Sequence, residues 1–416
     1  MLNKLVFWAR PVSILLIVGA LLLLILCLTT QEKNTTVFGP TLGADYPAFY
    51  IAGKTLNSEP DRLYDLQLQY ELYHQLAPRS PTDWFAPYPY APFFAVLFQP
   101  LALLPYQWSY LAWLIIGVIF FSLGIWLLRN SGLNFAANNW LTATLLSASF
   151  TPFLFEGWLG GQTSPFVFFC VASAIYLQSR ERDIAAGSVL AALLFKPTLL
   201  LLIMPMFLIC RQLRVLIGFV AGGLVFLSVS LWAVGIQGCL NFMRFLKVYM
   251  EVRRTTPESL KPWKYVDVRS AVYPLFYHPT SLTLMILLSI AGITGILLLC
   301  AWRRERFKAN KQQSLALALL WTPILSPHCA IYDTSLLIPA AIMMATNMHK
   351  SSPIFVGLLA LTYVTAWFSQ PISASIGFQP LTLSIALLGF YQLRAVFLGT
   401  SDETHKASLP DRRLIR

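Results

Sequence analysis

Four ionisable side chains, Asp45, Lys196, His328 and Asp333, stand beside or inside apolar stretches of this sequence, where a charge needs a reason. Asp45 lies in GADYPAFYIAG, a lone carboxylate among aromatic and small residues soon after the first long apolar run. Aromatic, partly dry surroundings raise a carboxylate's basicity and suit it to taking a proton from a hydroxyl. Lys196 precedes Pro197, so a helix there is interrupted and the ammonium sits by free backbone groups, placed to meet an anion such as phosphate. A lysine snorkelling to the interface accounts equally for that position. His328 follows Ser326-Pro327, as a site residue or as a plain hydrogen-bonding or capping residue. Asp333 is a candidate ligand contact, although pairing with a nearby base or capping a helix start explains it more simply. Glu156 is a further acid within an apolar run, and charges at that depth are functional or paired.

The surrounding composition defines the setting. Of 416 residues, 57% are hydrophobic and only 12% charged, against about 25% charged in a soluble chain. This predicts an all-α polytopic membrane protein without a soluble domain. The run 11–30 is too long for a signal-peptide core and lacks a small-x-small cleavage site, so it reads as a retained membrane helix. The net charge of +12 resides in short connectors and the tail, including Arg180, Arg182, Arg211, Arg214, Arg303 and Arg304. Basic residues there set orientation, and no nucleic-acid partner is implied. The six cysteines show no paired spacing for disulfides or zinc.

Clear spans are expected at 11–30, 106–128, 139–156, 164–179, 213–235, 281–302, 352–369 and 381–398. Residues 91–104 read as interfacial or re-entrant, while 184–210 and 313–347 go out and return, turning near Lys196 and His328. About 12 transmembrane helices result, with both termini cytoplasmic. Residues 1–400 form one domain, with a large first extracytoplasmic loop at 31–87, a second at 236–280 and a basic cytoplasmic tail at 401–416. Asp45, the Gly160-Gly161-Gln162 turn, Lys196 and His328 then fall on one side of the membrane, as parts of one site. The 236–280 loop carries seven bases against three acids, interleaved with aromatics around Arg253 and Arg254. That pattern suits a lipid phosphate headgroup, or anionic lipid in bulk. No D-x-D pair occurs and no metal is expected; G-x-S-x-G, H-E-x-x-H and P-loop signatures are also missing.

Taken in order, these features resemble glycosyltransferase family 87, polyprenol-phosphate-mannose-dependent α-mannosyltransferases of the GT-C class. The resemblance runs from D-Y-P-A-F-Y at Asp45, through Leu63-Tyr64-Asp65 and YPYAPFFAVLFQPLALLP, to Gly161-Gln162 and Phe195-Lys196-Pro197. It closes with Ser326-Pro327-His328 and Tyr332-Asp333, covering about residues 40–345. Two departures are Tyr90-Ala91-Pro92, where the family commonly has Tyr-Pro-Pro, and Ser164, where it favours Asn.

The resemblance implies a GT-C-like bundle that transfers a hexose, mannose by analogy, from a polyprenyl-phosphate donor to a glycan or glycolipid acceptor. The site would face the periplasm or exterior of the plasma (inner) membrane. Asp45 would be the general base, and inversion follows from a single displacement. His328, Lys196, Arg253 and Arg254 would favour departure of the phosphate, and Gln162 would contact a sugar hydroxyl. Tyr46, Tyr50 and Trp84 are aromatic candidates for stacking on sugar or prenyl chain. No cofactor is called for, the lipid-linked sugar being a substrate, and membrane lipids are the remaining partner. The competing readings are a lipid-linked sugar transporter or flippase, suggested by the two broken segments, and a polysaccharide polymerase or ligase.

Overall fold

The computed structural model describes residues 2–81, 85–133, 137–255, 261–272, 280–304, 311–347 and 352–398. Among them the chain is helical, and the only β-type pairings are isolated bridges. The helices are α1 (Leu2–Thr30), α2 (Tyr46–Ser58), α3 (Leu66–Leu76), α4 (Pro92–Ala95), α5 (Tyr106–Arg129) and α6 (Ala137–Ala148). A π-helix, Pro152–Leu159, leads to α7 (Ser164–Ser179), α8 (Asp183–Leu190), α9 (Ile203–Ile209) and α10 (Leu213–Thr255). The remainder are α11 (Val268–Ala271), α12 (Ser281–Arg303), α13 (Lys311–Leu325), α14 (Leu337–Asn347), α15 (Pro353–Ile376) and α16 (Pro380–Leu398).

Six of these helices are long and apolar enough to cross a membrane, or seven if the bent pair of π-helix and α7 is one span. The protein is therefore a multi-pass membrane protein. The dozen crossings expected from hydropathy are not reached by this count, because the interrupted stretches fold as short pieces. Residues 184–210 become two apolar segments, Asp183–Phe195 and Pro197–Ile209, parted at Lys196. Pro197 lacks an amide hydrogen and cannot continue a helix through that point. Residues 91–104 form α4 and two 3₁₀ turns, Val96–Phe98 and Leu101–Leu103, too irregular to span.

Aromatic packing holds this irregular segment in place. Phe98 stacks on Phe49 of α2 at 4.8 Å between ring centroids, and Phe93 lies 4.6 Å from Phe226 of α10. Glycines allow the closest helix approach elsewhere. A Cβ on Gly187 would collide with the Val215 carbonyl, and one on Gly218 with the Ile184 carbonyl, so α8 and α10 meet backbone to backbone.

The stretch 236–280, expected as a loop, is helical up to Thr255. Gly235 adopts φ 65° and ψ −179°, which an L side chain resists, and this kink divides α10 into two helical stretches. Beyond this kink Phe242 and Phe245 pack on Tyr64 at 5.1 and 5.6 Å. The Leu63-Tyr64-Asp65 element thus has a packing role. Leu63 is buried, the Tyr64 hydroxyl donates to the Tyr90 carbonyl at 2.7 Å, and Asp65 caps α3 by accepting from the Leu68 amide.

Candidate functional site

Asp45 occupies the N-cap position of α2 with helical backbone angles (φ −96°, ψ −12°), yet its carboxylate caps nothing. An aspartate at a helix start ordinarily accepts from the second or third amide. Here the side chain turns away and accepts from Gln162 Nε2 at 2.8 Å. The other amide atom of Gln162, Oε1, is buried and has no hydrogen-bond partner among the described residues. A buried polar atom without a partner costs about 1–3 kcal/mol, a state Gln162 Oε1 shares with other buried atoms among the described residues, such as Thr151 Oγ1 and Trp367 Nε1.

The turn presenting Gln162 is fixed from outside. Where the π-helix ends, its terminal carbonyls lack helical partners. Leu159 O accepts from the Tyr110 hydroxyl at 2.6 Å, Gly160 O from the Asp45 amide at 3.1 Å, and Gly161 O from the Trp113 indole at 3.0 Å. Three successive carbonyls are thereby tied to α5 and to the start of α2. Gly161 sits at φ 73°, and a Cβ there would strike Tyr46. The 111° bend between the π-helix and α7 places this turn against Asp45.

The second half of the site comes from the 3₁₀ turn Ile331–Leu336, which packs on the π-helix and on α7. Ser164 Oγ donates to the Tyr332 carbonyl at 2.9 Å, so the residue where the family favours Asn clamps this turn. The Tyr332 ring covers the Lys196 ammonium at 4.4 Å, a cation–π contact, and its hydroxyl accepts from Lys196 Nζ at 3.4 Å. Lys196 Nζ donates to both carboxylate oxygens of Asp333, at 2.6 and 2.8 Å. The side chains are 11% and 3% exposed, so this is a desolvated ion pair. Asp333 Oδ2 also accepts from the Ala330 amide at 3.1 Å. Asp333 thus does both things foreseen for it, pairing with a base and closing the start of its turn. The charge of Lys196 is partnered, and an incoming anion would meet it alongside Asp333.

His328 lies five residues before Asp333, at the mouth of the same turn, with its ring 4.3 Å from that of Tyr265 in the basic loop. Ser326 Oγ contacts both its amide (3.5 Å) and its carbonyl (3.3 Å). Glu156, on the π-helix, accepts from Gln370 of α15 at 2.8 Å.

The aromatic candidates separate. Tyr46 is fully buried between Tyr106, Tyr110, Trp113 and Phe98, and its hydroxyl pairs with Ser109 at 2.6 Å. The expectation that it stacks on a ligand gives way to a core role, because no face of the ring is open. Tyr50 is half-buried, with its hydroxyl on the Leu104 carbonyl at 3.0 Å. Trp84 and the side chains of Arg253 and Arg254 lie outside the described residues. Tyr332, which the sequence offered only as a companion of Asp333, proves to contact both Lys196, through its hydroxyl and ring, and Ser164 of α7, through its carbonyl. Its signal was its place between two chemically distinct partners, which a linear reading does not display.

Among the described residues no three His, Cys, Asp or Glu side chains gather as a metal-holding group. Apolar helices of spanning length, with a carboxylate and an ion pair held at their irregular breaks, define a membrane protein with a polar site built at helix ends. The family model for glycosyltransferase family 87 matches residues 88–327, more than half the chain, and the protein belongs to that family and is a membrane glycosyltransferase. The match includes Gln162 and Lys196 and ends one residue before His328, while Asp45 lies ahead of it. No curated protein and no solved structure matches the chain.

Proposed function

We propose that the protein transfers a hexose, mannose in the first instance, from a polyprenyl-phosphate donor to a hydroxyl of a glycan or glycolipid on the extracytoplasmic side of the plasma membrane. Asp45 removes the acceptor proton as the oxygen attacks the anomeric carbon. The bond to the lipid phosphate breaks on the opposite face, so configuration inverts. Lys196, with His328 and the Arg253/Arg254 segment, stabilises the departing phosphate, and the Asp333 carboxylate tempers the Lys196 charge until that anion is present. Gln162 orients the base through Nε2 and receives a sugar hydroxyl on Oε1.

The observation that carries this reading is the state of Asp45. It stands at a helix start, makes no cap, and is gripped by a glutamine whose remaining polar atom is buried without a partner. Asp65, also at a helix start, accepts from the Leu68 amide instead. General-base catalysis contributes roughly 10²–10⁴-fold, so Asp45→Asn is expected to lower transfer by at least about two orders of magnitude while the protein still inserts and folds. The assay uses membranes and a panel of radiolabelled polyprenyl-phosphate sugars. Turnover in Asp45→Asn close to wild type would remove the base assignment, and labelling from no member of the panel would remove the donor class.

A further inference from the structure

Asp267 has no part in the reading so far, yet it is a buried acid, 4% exposed, in a loop rich in bases. Its two oxygens do different work. Oδ1 accepts from the Ser270 amide at 3.0 Å and the Ser270 hydroxyl at 3.2 Å, capping the short helix α11. Oδ2 accepts from the Cys329 amide at 3.3 Å, in a segment 62 residues away. That amide belongs to the peptide unit joining His328 to Cys329, and the carbonyl of the same unit accepts from Ser326 Oγ at 3.3 Å. The peptide plane that sets the backbone direction of His328 is therefore held at both ends.

The neighbouring bonds repeat the pattern. The next amide, that of Ala330, goes to Asp333, whose carboxylate pairs with Lys196. Two consecutive amides after His328 thus end on two buried carboxylates from different parts of the chain. Val266 N donates to Cys329 O at 2.9 Å, and Tyr265 bridges to Ala330. The segment 261–272 is anchored behind by Thr382 Oγ1 on Val266 O at 2.9 Å and by Gln379 Nε2 on Tyr265 O at 3.1 Å. Burial pushes the Asp267 carboxyl up to about 6 against the pull of the Cys329 and Ser270 donors, as expected for an acid kept in a dry joint.

We propose that Asp267 is a positioning residue for sugar transfer: through the Cys329 amide it fixes His328 against the lipid phosphate, coupling the basic loop to the reaction centre. This rests on the reading of His328 given above. A helix cap alone needs only one of the two oxygens, and Oδ2 is the one that reaches across.

The two functions can be separated by substitution. Serine caps helices well but is too short to reach Cys329, so Asp267→Ser keeps the α11 cap and drops the bridge. Ser270→Ala removes a hydroxyl from the cap and leaves the bridge intact. In purified full-length protein with a polyprenyl-phosphate sugar donor, Asp267→Ser is expected to lower kcat about tenfold or more, with donor KM within twofold, since small misplacement of a reacting group can cost about 10²-fold. Ser270→Ala is expected to match wild type. Hydrogen–deuterium exchange of the peptide spanning 326–333 should rise in Asp267→Ser and not in Ser270→Ala. The proposal is overturned by a kcat within twofold of wild type, by equal losses in both variants, or by unchanged exchange at 326–333. If wild type transfers no sugar from any such donor, the functional reading fails separately, and the exchange measurement still decides whether Asp267 holds this turn.

Discussion

At the scale of single residues, what distinguishes the candidate site is how its polar groups are used. Asp45 and Asp65 both stand at helix starts, but only Asp65 caps, so sequence position alone does not separate the proposed base from a structural acid. The Lys196–Asp333 pair calls for a different test. Removing one partner of a buried pair leaves the other charge uncompensated, at a cost of about 3–5 kcal/mol, whereas replacing both with apolar groups is often neutral. Lys196→Met is therefore expected to lower the melting temperature in detergent clearly, and Lys196→Met with Asp333→Leu to recover most of it while activity stays lost. Recovery of activity in the double variant would show that the pair is structural only. Asp267 adds a pH signature. A folded value near 6 lies above the ordinary carboxylate value near 4, so folding favours the protonated acid. This group's contribution to stability therefore rises as pH falls from about 6 to 4. The melting temperature of wild type minus that of Asp267→Asn should shift upward over that window, as read by thermal unfolding at both pH values.

At the scale of elements, the site is assembled from places where helices fail. The π-helix end, the Lys196-Pro197 break and the 3₁₀ turn at Ile331–Leu336 each free backbone groups that regular helices would consume. The Gly160–Gln162 turn is the tightest of these. Gly161→Ala would force a side chain into a left-handed backbone and against Tyr46, costing about 1–3 kcal/mol and displacing Gln162 from Asp45. Loss of transfer with the protein still inserted is the expected result, and an active Gly161→Ala would show that the turn tolerates movement. These breaks were legible in the sequence because Pro, Gly-Gly and Ser-Pro punctuate apolar runs. The helical continuation past Gly235 was not, because Arg244 and Lys247 read as loop while Phe242 and Phe245, whose packing on Tyr64 decides the matter, are distant from it in sequence. The burial of Tyr46 was equally hidden: an aromatic beside a candidate base looks available until Tyr106, Tyr110 and Trp113 surround it.

At the scale of the whole molecule, hydropathy established the membrane class, whereas the number of crossings depended on how short apolar pieces bend in space. Two long-range contacts join residues singled out in the sequence: Asp45 meets Gln162 across 117 positions, and Lys196 meets Asp333 across 137. The contacts of Tyr332 with Lys196 and Ser164, and of Asp267 with Cys329, emerged only from geometry. We propose that transfer needs no metal, so activity is expected to persist in chelator. Loss of activity in EDTA restored by Mg²⁺ or Mn²⁺ would contradict the metal-free proposal. An impermeant thiol reagent should also label a cysteine introduced in 31–87 in intact cells, and protection there would reverse the proposed orientation.

The hinge at Gly235 carries a consequence for how such a protein is made. Residues 1–234 can enter the bilayer before the stretch that follows has left the ribosome. Only then can Phe242 and Phe245 fold back over Tyr64, and only later still can the 261–272 strap meet Cys329. The turn Ile331–Leu336, with the Asp333 partner of Lys196, is therefore added after both. A chain truncated shortly after Thr255 would carry Asp45 and Gln162 but lack the Asp333 partner of Lys196 and the Tyr332 carbonyl that Ser164 holds.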